Sequence, residues 1–94
     1  MKKILVAVDG SPQSLGAARL GQEIASATGA SLTEVRTIEL EGPAAERIAD
    51  LAENDGYDLV VVGSRGRNVV ARVFLGSVAD RLVHICKKSV LVAR

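Results

Sequence analysis

One stretch decides the fold of this chain, Asp58-Leu-Val-Val-Val-Gly63-Ser-Arg-Gly66-Arg-Asn-Val-Val-Ala-Arg-Val-Phe-Leu-Gly76-Ser-Val78. Its β-branched run from Leu59 to Val62 predicts a short strand that is buried on both faces of a parallel sheet. The strand ends at Gly63, a basic loop follows, and Gly76-Ser77 begins an amphipathic helix. This order of strand, glycine-containing loop and helix start is typical of a loop that holds phosphates.

The residue types in this loop suit an anion. Gly63 and Gly66 lack Cβ, so the backbone can lie close to a ligand with its N–H groups turned toward it. At Gly76-Ser77 the first N–H groups of the helix and its dipole favour negative charge. The alternative is that these residues only make a tight turn and a helix cap. The loop also carries arginines, each of which is either a phosphate ligand or a solvated surface charge: Arg65, Arg67 and Arg72.

The spacing Gly63-x-x-Gly66, nine residues, then Gly76-Ser77 resembles the ATP-binding branch of the universal stress protein family. Val8-Asp9-Gly10-Ser11 near the start of the chain and Ser89 to Arg94 at its end agree with that pattern. The resemblance implies a regulatory domain that binds ATP, with or without Mg²⁺, and hydrolyses it slowly or not at all. The residues that it assigns to the nucleotide are Ala7, Val8, Asp9, Gly63, Ser64, Arg65, Gly66, Arg67, Gly76, Ser77 and Val78.

Two hypotheses stay open at this point. Asp9 either binds the adenosine part of a nucleotide, as the resemblance implies, or helps to cap the helix that follows Ser11. The chain as a whole is either the nucleotide-binding regulatory domain or an interaction module that keeps the fold and has lost the nucleotide. Neither version is expected to be an enzyme with a catalytic residue or a metal site, because no nucleophile is paired with a histidine and no paired carboxylates flank the loop.

The chain departs from the family in its middle. Members of the family carry a further helix and strand between the positions that match Leu32 and Gly42, and this chain has no room for them because a parallel crossover needs a dozen or more residues. The family also uses a backbone group at the end of its second strand to contact adenine. We therefore predict a shortened, Rossmann-like α/β fold of the adenine nucleotide alpha hydrolase type, in a single domain over residues 1–94. Its open parallel sheet has about four strands in the order 2-1-3-4, with helices on both faces.

Local patterns predict the elements of this fold. A strand at Ile4–Val8 leads to a helix that is capped by Ser11, begins at Pro12 and ends at Thr28 before Gly29. Alternation predicts an edge strand from Leu32 to Glu41. The remaining elements are helices at 44–54 and 77–87 and a last strand at 90–93. The residues expected to form the buried side of the first helix are Leu15, Ala18, Ile24, Ala25 and Ala27.

Composition limits the partners and the compartment. The formal net charge of +1 gives no sequence-wide attraction to nucleic acid or to an anionic membrane. The single Cys86 excludes an internal disulfide, and without a signal peptide or a spanning segment the expected location is the cytoplasm. The last strand, Val90 to Ala93, is apolar on both faces at a sheet edge, and the family resemblance implies a homodimer through it, with or without exchanged elements. The missing helix and strand would leave a bare sheet face and a new edge, covered either by a partner or by exchange of elements with a second copy.

Overall fold

The computed structural model describes residues 1–64 and 76–94, in which strands and helices alternate along the chain. The strands are β1 (Lys3–Val8), β2 (Ser31–Arg36), β3 (Leu59–Gly63) and β4 (Ser89–Ala93). The helices are α1 (Pro12–Thr28), α2 (Ala44–Asn54) and α3 (Ser77–Ile85), and a short 3-10 turn covers Thr37–Glu39.

The strands form one parallel sheet in the order β2-β1-β3-β4, which confirms the predicted topology. β1 and β3 lie in the centre, where Ile4 pairs with Leu59 and Ala7 pairs with Val62. The chain leaves β1 toward β2 on one side, and β3 and β4 lie on the other side. The strand order therefore reverses between β1 and β3, and ligands in open α/β sheets bind outside the carboxyl ends of strands at such a point.

Two apolar layers hold the helices against the sheet, and both are almost purely aliphatic. On one face α1 packs against side chains of β1 and β3 that include Ile4, Val6 and Val61. On the other face α2 and α3 cover Leu5, Val60 and their neighbours, and Tyr57 is the aromatic member of this layer. The central strands are thus buried on both faces, as their unbroken apolar runs predicted.

Helix α1 has the predicted ends and a different buried side. The Ser11 hydroxyl accepts a hydrogen bond from the Ser14 N–H at 3.2 Å, and Gly29 closes the helix in the left-handed conformation with φ of 75°. The buried side consists of small residues, namely Ser14, Ala17, Gly21 and Ala25. Of the residues predicted to be buried, Leu15 and Ala27 are exposed. The prediction was wrong there because both residues lie off this side of the helix, Leu15 about 100° around from Ser14 and Ala27 about 200° around from Ala25.

Strand β2 lies at the sheet edge as predicted, but it ends at Arg36 and does not continue to Glu41. Its pairing with β1 stops at Val8↔Arg36, because β1 ends there and Gly10 turns the chain with φ of 83°. Without a partner strand the backbone turns at Thr37–Glu39, and Leu40 packs against the α2 and α3 side of the core. The alternating pattern persists in the sequence beyond the point where a ladder can form.

Two glycines of α1 should respond in opposite directions to alanine. A Cβ on Gly21 would lie 2.5 Å from Cγ2 of Val6, a stiff and fully buried side chain, so Gly21→Ala should destabilise the chain by about 1 kcal/mol or more although alanine favours the helix. A Cβ on Gly16 meets no atom within 4 Å, so Gly16→Ala should stabilise it by about 0.5–1 kcal/mol. Urea unfolding of both variants tests this, and equal effects would contradict the close approach at Gly21.

Candidate functional site

The candidate site begins where the two central strands end. Because Ala7 pairs with Val62, the segments that follow them, Val8-Asp9-Gly10 and Gly63-Ser64, leave the same end of the sheet side by side. Two of the segments that the sequence assigned to the nucleotide are therefore neighbours. Ala7 and Val8 themselves are buried strand residues, so they contribute backbone and packing at this end of the sheet.

The carboxylate of Asp9 is held by the turn that leads into α1. Its Oδ1 accepts a hydrogen bond from the Ser11 N–H at 2.9 Å, the pattern of an Asx turn. Partial burial by itself would raise the pKa of the carboxyl, but hydrogen bonds from the hydroxyl and the backbone N–H of Ser11 outweigh it and lower the pKa below the ordinary value of 3.8. Asp9 is therefore an anionic acceptor at neutral pH, and its helix-capping role is present in the structure.

The two ends of the glycine loop meet at one hydrogen bond. The Gly76 N–H donates to the Ser64 carbonyl at 2.6 Å, and the Ser64 N–H donates to the Ala93 carbonyl at 2.7 Å. Helix α3 then starts at Ser77 as predicted, and among the described residues no side chain caps it. Ser77 is exposed and Val78 is half-buried. The predicted site residues Arg65, Gly66 and Arg67, and Arg72 with them, lie outside the described residues.

A cavity of about 340 Å³ opens beside Asp9, between the first turns of α1 and the end of β2. This volume falls within the range of small-molecule sites, about 300–1,000 Å³. Apolar side chains dominate its wall, and Leu15 and Ile38 stay 61% and 77% exposed. The residues that line it are Val8, Asp9, Gly10, Ser14, Leu15, Ala18, Glu34, Arg36 and Ile38.

Sequence reasoning found Val8 and Asp9 of this cavity and missed most of its wall. Leu15 and Ala18 were assigned to the buried side of α1, and Ile38 was assigned to a strand face. Two signals could have found them. An exposed leucine in the first turn of a helix that leaves β1 lies beside the carboxyl end of that strand, and the segment that follows β2 must pass the same place. The opposite charges Glu34 and Arg36 lie where the cavity meets the edge of the sheet.

Comparison with known proteins extends this picture. The model of the universal stress protein family matches the chain in two alignments, over residues 1–40 and 32–94. The chain belongs to the universal stress protein family. The segment 32–40 is used in both alignments, as expected for a member in which an internal part of the family pattern is missing.

Curated relatives agree with the family. Universal stress protein MJ0531 of Methanocaldococcus jannaschii is 38% identical over 61 residues, which cover 65% of this chain and 36% of that protein. A putative universal stress protein of Staphylococcus haemolyticus is 37% identical over 73 residues, covering 78% of this chain and 44% of the relative. The alignments thus cover less than half the length of these universal stress proteins.

Solved structures share the fold. The universal stress protein UspA from Lactobacillus plantarum superposes with a TM-score of 0.85 at 22% identity and covers 99% of this chain and 97% of its own. A universal stress protein solved in complex with cAMP has a TM-score of 0.78 at 26% identity and covers 99% and 96%. Within residues 1–64 and 76–94, no helix is long and apolar enough to cross a membrane.

The lowered pKa of Asp9 sets a pH dependence. Since the folded state holds the carboxylate more favourably than the unfolded chain does, this stabilisation is present above the unfolded pKa of about 3.9 and is lost as the pH falls through the folded value. Asp9→Asn keeps an acceptor for the Ser11 N–H and removes the charge. We expect the free energy of unfolding near pH 7 to be larger for the wild-type chain than for this variant. Urea unfolding should show that this difference shrinks toward about pH 3. A difference that stays constant with pH would contradict the assignment.

Proposed function

We propose that this chain is a nucleotide-binding regulatory domain whose ligand is an adenine nucleotide, ATP with or without Mg²⁺. The observation that carries the proposal is the cavity beside Asp9, which opens at the carboxyl end of β1 on its β2 side. The base of the glycine loop follows β3, the neighbour of β1 on its other side, at the same end of the sheet. In this proposal the cavity holds the nucleoside, and the segment from the end of β3 to the start of α3 holds the phosphates.

The cavity provides what a nucleoside needs. The Asp9 carboxylate is anionic and can accept hydrogen bonds from ribose hydroxyls. Apolar side chains, including Leu15, Ala18 and Ile38, form a wall for the flat base. In the universal stress protein family a backbone group at the end of the second strand contacts adenine. Here Arg36 at the end of β2 and Ile38 in the segment after it line the cavity, which supports an adenine contact at this wall in the shortened chain.

The phosphates are assigned to the start of α3. Its first N–H groups and the positive end of its dipole favour an anion, and the exposed Ser77 hydroxyl adds a donor. Gly76 is held against Ser64, so this helix start has a fixed place relative to the carboxyl end of β3. The universal stress protein solved with cAMP supports an adenine ligand with a phosphate.

We assign this site to binding, with hydrolysis slow or absent. His84, the sole histidine of the chain, is exposed on α3, and its Nδ1 contacts the Asp80 carbonyl at 2.7 Å. Among the described residues that line the cavity, Asp9 and Glu34 are the acidic groups, and the Asp9 carboxylate is engaged by the turn into α1 through Ser11. Bound ATP would act by favouring one arrangement of the domain or of its partner over another.

Calorimetric titration with ATP and Mg²⁺ tests the proposal, with cAMP as a second ligand. Asp9→Ala removes the ribose acceptor and Gly76→Val crowds the helix start, and each should weaken binding about tenfold to a hundredfold, the worth of one hydrogen bond to a charged group. Gly16→Ala is the matched control, because it lies on α1 outside the cavity and should leave the affinity unchanged.

The contrary outcomes have distinct meanings. A folded chain that binds neither ligand would refute nucleotide binding and support the interaction module. Binding that survives Gly76→Val but not Asp9→Ala would keep the nucleoside site and refute the phosphate site at α3. Rapid release of phosphate from ATP over many turnovers, lost in both variants, would show an ATPase instead of a binding domain.

We also propose a homodimer through β4. This strand lies at the second edge of the sheet, with Val90 and Val92 on one face and Leu91 and Ala93 on the other. An apolar edge of this kind presents unpaired backbone groups and favours pairing with another strand. The Ala93 carbonyl accepts from Ser64, so Ala93 and Leu91 turn their backbone groups toward β3, and Val90 and Val92 turn theirs outward.

A proline at one outward position should block this contact. Val92→Pro removes an N–H that points away from β3, and proline is tolerated on an edge strand in that orientation. We expect sedimentation velocity to show a dimer for the wild-type chain and a shift toward monomer for the variant, with circular dichroism as the check that the variant folds. An unchanged dimer in a folded variant would refute pairing through β4.

A further inference from the structure

The opposite edge of the sheet carries a second surface. In the described residues β2 pairs with β1 alone, so one side of its backbone is free. The Ser31 N–H donates to the Lys2 carbonyl at 2.8 Å, which turns the backbone groups of Ser31, and of each second residue after it, toward β1. The N–H and C=O groups of the intervening residues therefore point outward at the edge, those of Leu32, Glu34 and Arg36.

This orientation limits how two copies of β2 can pair around a two-fold axis. In an antiparallel ladder, directly opposed residues both point their backbone groups at each other or both point them away. One residue must then oppose its own copy, with the two-fold axis midway between the two copies. Within this strand the choices for the residue on the axis are Thr33, Glu34 and Val35. A one-residue shift between these registers changes every opposed pair of side chains.

Charge selects one of these registers. With Glu34 on the axis, the two Glu34 side chains oppose each other, which is unfavourable. With Thr33 on the axis, Glu34 opposes the apolar Leu32. With Val35 on the axis, Glu34 of each copy opposes Arg36 of the other, and these opposed residues are the ones whose backbone groups point outward. Two backbone-bonded, opposite-charge pairs form at once, so the edge is self-complementary in both hydrogen bonding and charge.

We propose that the β2 edge binds the β2 edge of a second copy of this chain, antiparallel, with Val35 on the two-fold axis. This contact is separate from the β4 contact, since β2 and β4 lie at opposite edges of the sheet. It is possible because β2 is an edge strand in this sheet. The partner is defined by chemistry, a strand that carries glutamate and arginine two residues apart.

The residues involved are free to make this contact. Glu34 and Arg36 are exposed and lie on the α1 face of the sheet, where both line the mouth of the cavity. Arg36 forms an ion pair with Glu39 at 3.8 Å, and both side chains are more than two-thirds exposed, so exchanging this pair for one with a partner costs little. Val35 is half-buried on the other face, where it packs against the α2 and α3 layer.

Charge reversal tests the pairing. Glu34→Arg and Arg36→Glu each replace two attractive pairs by two repulsive ones, and each should weaken self-association at least about tenfold. The double variant restores complementarity and should associate like the wild-type chain. The two single variants mixed together should form a heterodimer, because one then presents two arginines and the other two glutamates. Sedimentation in the Val92→Pro background removes the β4 contact from the measurement.

Disulfide crosslinking tests the register. Every variant in this experiment keeps Val92 and carries Cys86→Ser, so that the introduced cysteine is the only thiol. Val35→Cys should give a covalent dimer on oxidation, because residues on the axis of a non-hydrogen-bonded pair have Cα atoms about 4.5 Å apart. Thr33→Cys is the matched control on the same face and should stay uncrosslinked. A crosslink at Thr33, no crosslink at Val35, or charge reversals without effect on association would overturn the proposal.

Discussion

The parallel pairing of β1 with β3 is the constraint on which the rest of the molecule depends. Each strand is buried on both faces, so helices must cover both sides of the sheet. The apolar runs leave neither strand with a polar face that could contact water. The register that joins Ala7 to Val62 also brings the ends of the strands together. The same hydrogen bonds that build the core therefore place Asp9 and Ser64 next to each other at the site.

Most of the fold could be predicted because its signals are local. Continuous aliphatic runs predicted the central strands, and the sequence Ser11-Pro12 and Gly29 predicted the ends of α1. Two features depend on neighbours that the sequence does not reveal. The alternation beyond Arg36 is real, but a strand needs a partner, and β1 ends at Val8. The buried side of α1 is made of small residues because Gly21 touches Val6, and that distance follows from the packing of the helix on the sheet.

The candidate site was predictable to a different degree. Asp9, Ser64 and Gly76 were assigned through one motif pattern, and the structure brings the ends of their segments together. The wall of the cavity was not predicted, because it is built from Leu15, Ile38 and other residues whose positions depend on where β2 ends. The place of Leu15 in the first turn after β1 indicates that it lies near the carboxyl end of that strand, but the sequence does not show that its side chain is exposed. The cavity beside Leu15 forms only when the chain is folded, so the place of Leu15 in its wall could not be predicted.

The cavity and the exposed edge of β2 share residues in this shortened chain. Glu34 and Arg36 line the cavity, and the same two side chains carry the charge pattern of the exposed edge. A ligand that contacts Arg36 competes with any strand that needs the same guanidinium, whereas a ligand that leaves it free does not. Linkage makes this effect mutual. The factor by which pairing at β2 changes the ligand affinity equals the factor by which the ligand changes the pairing affinity. If the cavity binds a nucleotide and the β2 edge pairs as proposed, the shortened middle gives this small domain a means of coupling occupancy to assembly.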